Sequence, residues 1–96
     1  MQNTITSQKL EKYFNVTKKA LDKIKFCCPE KSHMDNIAKD YYNMAKTYFE
    51  DAKHFREEGD YVNAFAALNY SHGWLDAGAR LGIFNVDHDN VLFTVD

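Results

Sequence analysis

Between two long stretches of helical period lies almost nothing: Gly59 and Asp60, a glycine that stops a helix and an aspartate that caps the next one. A connection this short gives two helices no room to part, so they must fold back on each other as an antiparallel hairpin. The rest of the chain raises no obstacle to a helical reading. One proline and four glycines in 96 residues leave long elements uninterrupted. At 45% hydrophobic and 27% charged, the composition is that of a globular domain, and the length is that of one domain.

Three segments carry the period. In the first, Leu10, Phe14, Thr17, Leu21, Ile24 and Cys28 step by four and three. Ser7 is the expected N-cap and Pro29 the expected stop, giving a helix over about 7–28. Ser32 and Asp35 have capping-box spacing and open a second helix over about 33–58. Its seam is Met34, Ala38, Tyr41, Ala45, Tyr48, Ala52 and Phe55, small residues alternating with aromatics. Glu57 and Glu58 before Gly59 are an unfavourable charge choice at a helix C-terminus. The third helix spans about 61–81, with Gly82 as C-cap and Ile83 folding back. The stretch 83–96 reads as an extended or β-like tail. A lone two-stranded ribbon is marginal in water, so its apolar residues should lie against the helices. The expected fold class is all-α: an up-and-down three-helix bundle with that tail, in one domain.

The third helix has more to bury than two partners cover. Tyr61, Phe65, Leu68, His72, Leu75 and Ala79 form one seam; Ala67, Tyr70, Trp74, Ala77 and Leu81 form another. Either the tail folds over the second seam, or the helices wrap it, or another chain covers it. Tyr70, Trp74 and Leu81 are interface anchors on the last reading, with Asp76 and Arg80 as rim charges. Gly73 and Gly78 each cost about 1 kcal/mol relative to alanine inside a helix, and close approach of another backbone is their simplest explanation; a ligand in the same notch is the other.

The stretch 48–82 resembles an archaeal family known only as domain of unknown function 357. The resemblance rests on Gly59-Asp60-Tyr61, on Ala64 and Phe65, and on the run His72-Gly73-Trp74-Leu75-Asp76-Ala77-Gly78. Ser71 stands where alanine is expected. The resemblance implies a three-helix bundle and no assigned activity. The Gly-Asp-Tyr turn also echoes tetratricopeptide helix pairs, but that architecture stacks repeats and only one pair is present.

Charge and chemistry narrow the function classes. Net charge is −2, with residues 1–31 basic and the remainder acidic. Lys9, Lys12, Lys18, Lys19 and Lys23 make the first helix either a solvated face or a nucleic-acid contact. Asp51 and His54 sit three apart and His72 and Asp76 four apart, spacings that pool into a metal site in some bundles; the plainer reading is a buried, hydrogen-bonded His72 and a solvated Asp51–His54 pair. Asp76 and Arg80 are spaced for an i,i+4 ion pair. The adjacent Cys27 and Cys28 exclude a disulfide framework and read as reduced thiols. No phosphate loop, nucleophile elbow or catalytic carboxylate pair is present, so neither an enzyme nor a cofactor is expected. No run approaches the ~20 apolar residues of a membrane span, and the polar N-terminus lacks signal-peptide order, so the chain is expected to be cytoplasmic. The expected role is an interaction module or small assembly subunit, binding a protein or its own copy. The alternatives are a nucleic-acid-associated protein and a small-ligand or metal-binding domain.

Overall fold

A computed structural model describes residues 4–95; residues 1–3 of the polar N-terminus and Asp96 at the end of the tail lie outside the described residues. The elements are α1 (Ser7–Lys23), β1 (Lys25–Phe26), α2 (His33–Glu57), α3 (Tyr61–Leu81) and β2 (Phe84–Asn85). The helices run up, down and up, as expected for the all-α bundle. Helix α3 is central: it packs most extensively on α2, then on α1, while α1 and α2 touch sparsely.

The α2–α3 hairpin forms where the Gly59-Asp60 turn puts it. Gly59 adopts φ +77°, a left-handed conformation that glycine enters without a Cβ clash. The Asp60 amide returns to the Phe55 carbonyl at 2.9 Å, and the Asp60 carboxylate accepts from the Asn63 amide at 3.2 Å. Along the pair, Tyr41 meets Trp74 and Tyr48 meets Tyr70. Between them the Ser71 hydroxyl donates to the Ala45 carbonyl at 2.6 Å.

At the start of α2, Ser32 Oγ accepts from the Asp35 amide at 3.1 Å, as a capping box requires. Its reciprocal half differs. The Asp35 carboxylate accepts from the Lys31 amide at 3.1 Å and pairs with Lys39 Nζ at 2.9 Å, while the Ser32 amide is taken by the Pro29 carbonyl at 3.1 Å. Asp35 is buried in consequence.

Helix α1 departs from expectation at both ends. Its N-cap is Thr6, whose hydroxyl accepts from the Lys9 amide at 3.1 Å, so Ser7 is the first helical residue. It ends at Lys23, well before Pro29. Ile24 turns extended, and Lys25 and Phe26 pair antiparallel with Asn85 and Phe84. Phe26 lies against Phe84 and Tyr42, contacts that a continued helix would forgo. Ile24 and Cys28 therefore leave the seam, which closes at Leu21.

The core stripes are wider than single seams. On α2, Phe49 is buried and meets Phe14 of α1 edge-on at 5.7 Å, while Met34, placed in the seam by spacing, is 39% exposed. A helix that touches two neighbours buries a stripe broader than one row of four-and-three steps. On α3 the buried line is Ala64, Ala67, Leu68, Ser71, Leu75 and Gly78, running between the two predicted seams.

Gly82 ends α3 at φ +86°, and the Ile83 amide returns to the Gly78 carbonyl at 3.1 Å. Ile83, Phe84, Val86 and Phe93 are buried against the helices. The tail is less extended than its composition suggests. Beyond β2 it turns through Asp87 and His88, and the Asp89 carboxylate accepts from the Val91 and Leu92 amides, each at 3.0 Å.

Two carboxylates tie this fold to acid. The Lys39 hydrogen bond, then the Lys31 amide, hold Asp35 below the ordinary carboxylate range against an opposing burial effect. The Leu92 and Val91 amides do the same for Asp89. A lowered folded pKa adds stability above the unfolded value near ~3.9 and loses it as pH falls through the folded one. Chemical denaturation followed against pH should give a flat midpoint above about pH 5 and a decline below about pH 4. Asp35→Asn should lower the plateau and make that decline shallower.

Candidate interaction face on helix α3

The two sides of α3 have opposite fates. On one side stand His72, Asp76 and Arg80, and the tail lies on them. Leu92 offers its carbonyl to His72 Nε2 at 2.6 Å; a carbonyl only accepts, so Nε2 carries the proton. The other ring nitrogen faces Thr17 Oγ1 on α1 at 3.4 Å. Asp76 Oδ1 accepts from the Thr94 amide at 2.8 Å, and Arg80 Nη1 donates to the Thr94 carbonyl at 3.0 Å. The two charges expected to pair with each other instead hold the backbone N–H and C=O of one tail residue, much as a neighbouring strand would.

The tail therefore covers the edge of the first seam and leaves the second open. Tyr70 is 64% exposed and Leu81 54% exposed, with Trp74 half-buried. The rings do not stand alone. Tyr41 approaches Trp74 edge-on with centroids 5.0 Å apart, and Tyr48 stacks on Tyr70 at 5.1 Å. Tyr41, Tyr70 and Trp74 wall an open, largely apolar groove of about 470 Å³, lined also by Asn69, Gly73 and Ala77. Sequence reasoning placed Tyr41 and Tyr48 on the core seam of α2; only the packing shows Tyr41 lining the groove and Tyr48 stacked on Tyr70 beside it. Asn69, which also lines it, carried no sequence signal.

The glycines of α3 also part company. A Cβ on Gly78 would run into the buried Phe84 ring, so that glycine is accounted for inside the chain. A Cβ on Gly73 would meet nothing within 4 Å. Nothing in the described residues uses the space that Gly73 leaves.

The chemical alternatives do not assemble. His54 lies on the solvent side of α2 and pairs with Glu58 at 3.1 Å, far around the helix from the groove, while His72 and Asp76 are committed to the tail. Among the described residues no three metal-capable side chains come together. Cys27 Sγ donates to the Gly82 carbonyl at 3.2 Å. Burial, then its neighbour Cys27, push the Cys28 thiol up, away from the thiolate that redox or nucleophilic chemistry needs. Among the described residues no helix is long and apolar enough to cross a membrane.

Fold and face together define a small three-helix bundle with one central helix left open on an aromatic side. The sequence profile of the family described as Protein of unknown function (DUF357) matches residues 12–84, and the chain belongs to that family. The match takes in most of α1, where no distinctive motif was visible. No curated protein and no solved structure matches the chain significantly.

Two measurements check this geometry. Gly78→Ala should destabilise the fold by about 1–3 kcal/mol through overpacking against Phe84, whereas Gly73→Ala should stabilise it by up to about 1 kcal/mol; urea melts of the two variants should move in opposite directions. Asp76→Ala should loosen the tail, costing about 1 kcal/mol. Hydrogen exchange would report it as faster exchange at the Thr94 amide, with the α2 and α3 amides of the hairpin unchanged.

Proposed function

We propose that this chain is a non-catalytic interaction module that docks a protein on the open aromatic side of α3. The supporting observation is the uncovered groove with its unfilled glycine. Tyr70 and Trp74 stand braced by Tyr48 and Tyr41, so little side-chain freedom remains to be lost on binding. Tyrosine and tryptophan in that state are the residues that most often anchor interfaces. Asp76 and Arg80 serve the face indirectly, by holding the tail clear of the groove.

The Lys-rich first helix supports a nucleic-acid role less well. Lys18 pairs with Asp22 at 2.6 Å, and Lys23 and Lys25 share Asp87 at 3.9 and 3.7 Å. Part of the basic charge is thereby neutralised within the chain.

The test is a comparison of tagged wild-type protein with Tyr70→Asp in native-source lysate, with and without nuclease. Tyr70 is exposed enough that its replacement should leave the melting temperature nearly unchanged. A protein retained by the wild type after nuclease treatment and lost, or weakened at least about tenfold, with Tyr70→Asp is the expected result. Equal retention by both proteins would sink the assignment of the face. Retention that disappears with nuclease would move binding to α1.

A further inference from the structure

The charges that border the α3 face say what kind of partner it fits. Along its middle the face is neutral: the charged side chains of α3 are Asp76 and Arg80, both turned to Thr94. On the α1 side, Val16 lines a second, smaller groove with Asn69 and Gly73. Lys12 and Lys19 lie four residues before and three after Val16, and so share its side of α1. On the α2 side, Asp40, Met44, Tyr48 and Asp51 follow one another in steps of four and three, one ridge of that helix, with Tyr48 stacked on Tyr70. The face thus reads basic, apolar, acidic from one edge to the other. Lys12, Lys19, Asp40 and Asp51 have no ion-pair partner among the described residues.

Such a layout is complementary to itself in one orientation. Two copies meeting face to face are related by a two-fold axis lying in the interface. If the axis runs across α3, the two α3 helices are antiparallel and each edge meets its own kind, lysine on lysine and aspartate on aspartate. If the axis runs along α3, the helices are parallel and the edges exchange, lysine on aspartate. The heights agree as well. Tyr13 meets Phe65 and Thr17 meets His72, so Lys12 stands level with about residues 64–67 of α3 at a common helical rise. Tyr41 meets Trp74, Ala45 meets Ser71 and Tyr48 meets Tyr70, so Asp51 stands level with about the same residues. Lys19 and Asp40 lie within about one turn of each other by the same measure.

In a parallel pair each residue of the central line approaches its own copy, which suits a neutral line and would punish a charged one. Gly73 lines both grooves and so sits on the ridge between them; without a Cβ it lets the two backbones close. The surface is large enough. The length of α3, about 31 Å at 1.5 Å per residue, across a molecule 25 Å wide offers about the 800 Å² per partner of an ordinary stable interface.

We infer that the α3 face is closed by a second copy of this chain, with the two α3 helices parallel, Gly73 against Gly73, and Lys12 of each copy opposite Asp51 of the other. The inference rests on the reading of this face as an interaction surface and names its occupant. Sedimentation equilibrium of the full chain tests it. The wild type should show a monomer–dimer equilibrium. Lys12→Glu and Asp51→Lys should each weaken dimerisation about tenfold, since two symmetry-related pairs are hit at once, and the double variant should return to within about threefold of wild type. Gly73→Leu should abolish the dimer while its thermal melt shows an intact fold. A wild type that stays monomeric to millimolar concentration overturns the inference. So does a single reversal that strengthens dimerisation, the signature of the antiparallel arrangement. A monomer that still retains a Tyr70-dependent protein from lysate would leave the interaction face standing and remove only the second copy; a monomer that retains nothing would remove both.

Discussion

Everything in this fold is arranged around the close approach of α2 and α3. Ala38, Ala45 and Ala52 on one helix and Ala64, Ala67 and Ser71 on the other are buried, and the Ser71 hydroxyl reaches the Ala45 carbonyl at 2.6 Å. Small residues at the centre of a helix pair push its large residues to the flanks. On the flank facing α1, Phe49 finds Phe14, and Arg56 lies over the Phe14 ring at 3.8 Å while reaching Glu11 at 2.9 Å. On the other flank Tyr41 meets Trp74 and Tyr48 meets Tyr70, with no third helix beyond them among the described residues. The groove is therefore a consequence of alanine packing in a bundle with a third helix on one side and none on the other.

What could be read in advance was whatever short-range chemistry decides. Gly59 and Asp60 leave no choice but a hairpin; Ser32, Asp60 and Gly82 cap helices through their own side chains or backbone freedom. What escaped was decided by partners far away in the chain. Ile24 and Cys28 continue the period of α1, yet the chain leaves the helix after Lys23 and Phe26 packs on Phe84 and Tyr42. Asp76 and Arg80 have the spacing of a helix-surface ion pair, but two hydrogen bonds to the backbone of Thr94 replace it. A solvated pair of this kind contributes only a few tenths of a kcal/mol, so it yields readily to a contact that anchors a segment.

The face itself was half legible. The excess of apolar surface on α3 followed from counting its two seams, and Tyr70, Trp74 and Leu81 do lie on the side left open. The division of labour between the seams did not follow, because it depends on which edge the tail takes. Leu92, Phe93 and Thr94 choose the edge that offers His72, Asp76 and Arg80, where the backbone of the tail finds donors and acceptors. The aromatic edge offers rings and few polar partners. A tail laid there would leave its amides and carbonyls unsatisfied as they were buried, which is the costlier arrangement.

Gly73 and Gly78 carry the same sequence signal and separate the internal from the external business of α3. Both weaken the helix by a similar amount. Gly78 returns that loss within the chain, since the Phe84 ring occupies the place of its side chain and fastens β2 to the bundle. Gly73 returns nothing within the described residues, although alanine would fit there without contact. An unrewarded glycine on an uncharged, aromatic-walled ridge is a local choice that the isolated fold does not justify. In the proposed interface the compensation comes from what closes on the ridge, since close approach of a second backbone is what a missing Cβ permits.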